Sequence, residues 1–121
     1  MQRPVAYEPV SPFRDAAAFL GGLDAGAVGA ALVAASDIVL VVDRDGVILD
    51  LGFNGVEIAR DGVSAWIGRP WAETVAEDST RKIAEMLAGA AADAIGAPRQ
   101  VNHVTPRGGE LPVSYVVMPL A

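Results

Sequence analysis

The chain has 121 residues, which fits one domain, and 52% of them are hydrophobic. Its net charge of −6 disfavours direct binding to nucleic acid or to an anionic membrane surface, because both need clustered Lys and Arg. The absence of cysteine excludes disulfides, thiol chemistry and zinc–thiolate sites within the chain. The sequence also shows no signal-peptide pattern and no apolar run long enough for a membrane span. We therefore expect a cytoplasmic protein that does not enter a membrane.

The first third of the chain predicts a flexible arm followed by a helical cap. Residues 1–10 carry two prolines and no hydrophobic periodicity, which is typical of a flexible arm. Residues 11–36 form the predicted N-terminal helical cap. Ser11 followed by Pro12 indicates the start of a first short helix. Asp24 is the expected N-cap of a second helix of about ten residues.

The second predicted helix carries the candidate interface residues. They recur at helical spacing and give one apolar stripe: Val28, Ala31, Leu32 and Ala35. Small neighbouring residues would let another helix approach this stripe closely. Packing within the chain and a dimer contact both explain the stripe, and the pattern does not choose between them.

Two strands and a tight acidic turn follow the helices. Residues 38–43 are a β-rich apolar run, as expected for a strand covered on both faces. Asp45 and Gly46 indicate a hairpin turn, since Gly supplies the positive φ that a tight connection needs. Residues 46–53 then alternate between apolar and polar positions, and Leu49 falls on the apolar side with Val47, Leu51 and Phe53.

The remainder of the chain predicts short helices, one longer helix and two more strands. The longer helix spans residues 79–94, capped by Asp78 or Ser79, and its apolar stripe is expected to face the sheet. Strands are predicted at residues 99–105 and 111–118. Residues 37–121 therefore predict an α+β core, an antiparallel sheet with flanking helices.

Two sequence elements resemble the PAS family of sensor domains. Ile67-Gly68-Arg69-Pro70, with Glu77-Asp78 after it, is similar to a segment common in PAS domains. A more specific element is Asn102-His103-Val104-Thr105-Pro106-Arg107, followed by Leu111-Pro112-Val113-Ser114-Tyr115. With Ala35-Ser36-Asp37-Ile38 opening the sheet, it resembles the N-terminal PAS-like domain of the PpsR/CrtJ repressors of photosynthesis genes.

The resemblance implies a regulatory function. PpsR/CrtJ proteins read DNA through a separate helix-turn-helix, so this segment would act by association. The implied partners are a second copy of the chain, giving a homodimer or higher oligomer, and an antirepressor or photoreceptor protein. A PAS domain normally ends in a fifth strand, and the sequence stops at Ala121, about where that strand would begin. We therefore expect either that the last strand was cut off or that something else completes an open sheet edge.

No residue pattern predicts catalysis, a cofactor or a metal site. His103 is the only histidine, and a lone His on a strand is more often structural than a haem ligand or a general base. Asp43 and Asp45 are expected to cap a turn. Trp66 and Trp71 could line a ligand pocket, but we expect them to be core or edge-covering aromatics. The residue patterns thus favour a non-catalytic PAS interaction and oligomerisation domain, and the resemblance implies that it belongs to a transcriptional repressor. The alternative is a PAS sensor that binds haem or flavin.

Overall fold

The computed structural model describes residues 13–92 and 97–119, and its elements confirm the predicted α+β order. The helices are α1 (Ala16–Leu20), α2 (Ala25–Ala34), α3 (Val56–Arg60) and α4 (Thr80–Ala91). The strands are β1 (Ile38–Val42), β2 (Ile48–Phe53), β3 (Arg99–Val104) and β4 (Glu110–Tyr115). The predicted arm 1–10, the predicted cap at Ser11 and Pro12, and the end of the predicted helix at residues 93–94 lie outside the described residues.

Aspartate side chains start both helices of the N-terminal cap. The Asp15 carboxylate accepts a hydrogen bond from the Ala18 amide at 3.1 Å, so α1 begins later than Ser11 and Pro12 indicated. Asp24 accepts from the Ala27 amide at 2.8 Å, which confirms the predicted start of α2. Each carboxylate satisfies an amide that the first helical turn leaves without a backbone partner.

The β1–β2 hairpin is antiparallel, with a tight turn and an irregular register. Gly46 has the predicted positive φ of 83°, and its amide donates to the Asp43 carbonyl at 3.0 Å. Val41 pairs with Asp50 but Val42 pairs with Ile48, so Leu49 is the extra residue of a β-bulge. The predicted alternation is therefore wrong at the start of β2: Ile48 is fully buried, whereas Leu49 is 55% exposed.

The β3–β4 hairpin is regular and confirms the predicted alternation. Val101 pairs with Val113 and His103 with Leu111, so these residues share the inner face. The outer face carries polar side chains, including those of Gln100 and Ser114. This hairpin therefore has one face in the core and one face in water.

The connection between the hairpins covers one edge of each. The Ile48 amide donates to the Arg69 carbonyl at 2.9 Å, so the connecting segment occupies the edge of β2 that faces away from β1. The Val104 amide donates to the Thr74 carbonyl at 2.9 Å, which occupies the outer edge of β3. Among residues 13–92 and 97–119, β1 pairs only with β2 and β4 only with β3. Each hairpin thus keeps one edge without a strand partner in the described part of the chain.

Helix α4 closes the core beside β3. Ile83 is fully buried and Met86 is 9% exposed, while Leu87 packs against the core but keeps part of its surface in water. The stripe therefore faces inward as predicted. Ser79 precedes the helix as expected, but its hydroxyl makes no cap hydrogen bond. It accepts from the Asn102 amide at 2.9 Å instead, and so ties the start of α4 to β3.

Candidate functional site

An open apolar groove lies between α2 and the outer face of the β1–β2 hairpin. Its volume is about 250 Å³. The helix contributes Gly29, Leu32 and Val33, and the strands contribute Val39, Val41, Asp50, Leu51 and Gly52. The valines of β1 reach this face because they alternate with the core-facing residues of the same strand. The outer face of this hairpin is therefore mostly apolar, with Asp50 as its one charged lining residue, in contrast to the polar side chains on the outer face of β3–β4.

Helix α2 is apolar throughout but has no buried residue. Between Ala25 and Ala34 it carries no charged side chain, and Val28 and Leu32 are 43% and 51% exposed. A helix that is hydrophobic all round is normally covered on most of its surface. Helix α2 and the groove beside it, together called the α2 surface below, are thus an apolar area that residues 13–92 and 97–119 leave open to solvent.

The predicted interface residues take different positions on this surface. Leu32 lines the groove, whereas Val28, Ala31 and Ala35 are exposed and are not among its lining residues. Val33, which lies outside the predicted stripe, is the one residue of α2 that is half-buried. A Cβ atom built on Gly52 would lie 2.6 Å from the Val33 Cγ2. The missing side chain of Gly52 thus lets α2 lie on the sheet through Val33, which leaves most of the predicted stripe turned outward.

A second notable site is a buried polar cluster in the core, centred on His103. The histidine is fully buried, and its Nδ1 lies 3.2 Å from the Thr74 carbonyl oxygen and 3.0 Å from the Thr74 Oγ1. Its Nε2 lies 2.6 Å from the Tyr115 hydroxyl. The Thr74 Oγ1 donates to the Trp71 carbonyl at 2.7 Å and so can accept from the imidazole. A carbonyl only accepts, so Nδ1 carries the proton and Nε2 accepts from the tyrosine.

Two tryptophans enclose this cluster. Trp66 stacks on the His103 ring with centroids 4.3 Å apart, and Trp71 meets the edge of the Tyr115 ring at 5.2 Å. Both tryptophans are buried, at 0% and 2% exposure, as the sequence predicts. Within the described part of the chain, neither indole N–H has a hydrogen-bond partner. A buried donor without a partner normally costs free energy, so these two N–H groups are the polar atoms of the core that a ligand or water would satisfy.

Burial fixes the protonation of both titratable groups in the cluster. Desolvation lowers the pKa of His103 to about 4, partly opposed by its backbone hydrogen bond to Thr74. Desolvation also raises the pKa of Tyr115 well above its usual value. At neutral pH the cluster therefore holds a neutral imidazole and a neutral phenol.

Sequence reasoning named His103 but missed Thr74 and Tyr115 as its partners. One signal was available for Tyr115, because strand alternation places it on the same face of the predicted hairpin as His103. No sequence pattern pointed to Thr74, because it lies in the segment between the hairpins and only the folding of that segment brings it to the histidine. In the described residues no group of three His, Asp or Glu side chains lies close enough to hold a metal ion. The described part of the chain also contains no helix of the length and apolarity that crossing a membrane requires.

Comparison with known families agrees with this architecture. The family model of the PAS fold matches residues 32–121, which is most of the chain and includes both hairpins and α4. The chain therefore belongs to the PAS fold family, whose members are typically sensory or interaction modules of signalling and regulatory proteins. A search of the curated proteins found no match.

Proposed function

We propose that the chain is a non-catalytic PAS module that self-associates through its α2 surface. The observation that carries this proposal is the apolar helix α2 without a buried residue, beside an apolar groove. Two copies that meet there would remove Val28 and Leu32 from water, and burial of apolar side chains is the main favourable term in association. The small residues around them allow two backbones to approach closely.

The sequence resemblance supports a place for this module in a transcriptional repressor. The residues that carry it are Asn102–Arg107 and Leu111–Tyr115, which are similar to the N-terminal domain of the PpsR/CrtJ repressors of photosynthesis genes. Such a protein works in the cytoplasm and contacts DNA through another domain, in keeping with the net charge of −6 here. An antirepressor or photoreceptor would be the further partner of the assembly.

Sedimentation of charged variants tests the self-association. We expect the wild-type chain to form a dimer or higher oligomer, with an interface of at least about 1,000 Å² in total. Leu32→Asp places a charge in the apolar contact and should raise the dissociation constant at least about tenfold, or about 1.4 kcal/mol. Val56→Asp is the matched control, because Val56 is 68% exposed at the first residue of α3, where an acidic side chain is tolerated.

Two outcomes would contradict the proposal. Circular dichroism must show that both variants are folded before they are compared. A wild-type chain that sediments as a monomer at high micromolar concentration would remove self-association as the function of this segment. An equal effect of both variants would place the contact away from α2.

One observation favours small-molecule sensing as a second candidate function. The indole N–H groups of Trp66 and Trp71 are buried donors without partners in the described residues, and a ligand with acceptor atoms would satisfy them. A haem or flavin that co-purifies with the protein would be visible in its absorbance spectrum. A spectrum that shows only the protein's own aromatic absorption would leave the association module as the better description.

A further inference from the structure

We propose that Tyr115 and His103 form a buried redox pair, in which oxidation of the phenol by one electron is coupled to transfer of its proton to the His103 Nε2. The co-reactant is an outer-sphere one-electron oxidant, such as an oxidised metal complex or a photoexcited dye. This goes beyond the association function, because the domain could then respond to a one-electron oxidant without a bound cofactor.

The hydrogen-bond geometry carries the proposal. The tyrosine hydroxyl lies 2.6 Å from Nε2, so the proton has only a short distance to travel. Thr74 holds the other ring nitrogen with its carbonyl oxygen at 3.2 Å and its hydroxyl oxygen at 3.0 Å. These contacts keep the proton on Nδ1 and leave the Nε2 lone pair directed at the phenol. The proton acceptor is thus in place before any electron leaves.

The protonation states of the folded domain require the electron and the proton to leave the phenol together. Because burial raises the pKa of Tyr115, its tyrosinate is not available for oxidation at neutral pH. Because burial lowers the pKa of His103, its imidazole is neutral at neutral pH, and the lone pair of Nε2 faces the Tyr115 hydroxyl at 2.6 Å. Loss of an electron alone would leave a phenol radical cation, which is a far stronger acid than an imidazolium, so the proton passes to Nε2 even though burial makes His103 a weaker base than usual.

The step balances in electrons and protons. Tyr115 loses one electron to the oxidant and breaks its O–H bond, and the proton forms a new N–H bond at Nε2. The products are a neutral tyrosyl radical, an imidazolium and the reduced oxidant. Both imidazolium N–H groups then have acceptors: the phenoxyl oxygen on one side and the Thr74 oxygens on the other. Trp71, edge-on to the Tyr115 ring at 5.2 Å, is the adjacent aromatic group through which the electron can pass.

The experiment uses photochemically generated tris(bipyridine)ruthenium(III) as the oxidant, with detection by electron paramagnetic resonance. The chain contains one other tyrosine, Tyr7, so Tyr7→Phe leaves Tyr115 as the only source of a tyrosyl signal. We expect a tyrosyl radical in Tyr7→Phe and its loss when Tyr115→Phe is added. Since His103 is the only histidine, ¹⁵N-histidine labels the proposed proton acceptor alone.

Two further readouts separate a proton acceptor from a merely structural histidine, and neither requires a core substitution. The radical should show a hyperfine coupling to the labelled imidazole nitrogen and a coupling to one exchangeable proton that disappears in D₂O. A tryptophan radical alone, or a tyrosyl radical without the nitrogen coupling, would overturn the proposal. His103→Phe should also remove the stabilised radical, and circular dichroism shows whether that variant is folded.

Discussion

Acidification should destabilise the folded domain through His103. The histidine is fully buried and neutral, and its pKa in the folded state is about 4 because of desolvation, against 6.5 for an ordinary histidine. The unfolded chain therefore binds more protons than the folded chain between these two values, and stability must fall as the pH falls. The contribution of the neutral histidine is fully present above pH 6.5 and is lost as the pH approaches 4.

The size of the effect follows from the two pKa values. For each pH unit over which the histidine is protonated in the unfolded state but not in the folded state, the free energy of unfolding falls by about 1.4 kcal/mol. At pH 5 the unfolded state is almost fully protonated at this residue and the folded state is almost unprotonated, so the loss is about 2 kcal/mol. It approaches about 3 kcal/mol at pH 4. For a domain of this size these values are a large part of the total stability.

Urea unfolding followed by tryptophan fluorescence between pH 7 and pH 5 measures this loss. Glu85 does not add to the loss in this pH range, because the hydrogen bond from Arg99 keeps the pKa of its carboxyl below the usual 4.5 and its contribution is lost only at lower pH. An NMR titration of the single imidazole gives the folded pKa independently. A free energy of unfolding that stays constant from pH 7 to pH 5, or an NMR pKa near 6.5, would refute the reasoning.

The other predictions concern packing around α4 and the turns at two glycines, and chemical denaturation measures the free energy of unfolding of each variant. Ile83→Ala should cost about 2–5 kcal/mol because the side chain is fully buried, and Leu87→Ala should cost less because Leu87 is half-buried. A loss below about 0.5 kcal/mol for Ile83→Ala would mean that the helix does not pack as described. Gly46→Ala and Gly68→Ala should each cost about 1–2 kcal/mol, since both residues have a positive φ. Gly46→Ala should cost more, because its new Cβ would lie 2.9 Å from the Leu87 Cδ1 while Gly68 has open space, and the reverse order would contradict this contact.

Local sequence signals were sufficient for most of the fold. The apolar run of β1, the alternation of β3 and β4, and the Asp24 cap of α2 act within a few residues of the chain, where backbone geometry and hydrogen bonding are decided locally. The turn at Gly46 is of the same kind, because only a glycine adopts its positive φ without strain. The inward stripe of α4 was also visible, since it depends only on helical periodicity.

The tertiary structure decided what those signals left open. The bulge at Leu49 changes which β2 side chains enter the core, and it lies next to Ile48, whose backbone bonds to the connecting segment at Gly68 and Arg69. On α2, Val33 packs where a side chain of residue 52 would lie if that residue were not glycine. This contact determines which face of the helix lies on the β1–β2 hairpin, and it leaves Val28 and Leu32 exposed. The His103 cluster has the same origin: Thr74 is 29 residues away in sequence, and only the folded path of the chain brings its oxygens to the imidazole. Composition and periodicity report each segment's own preferences, whereas contacts between distant segments depend on how the segments pack together.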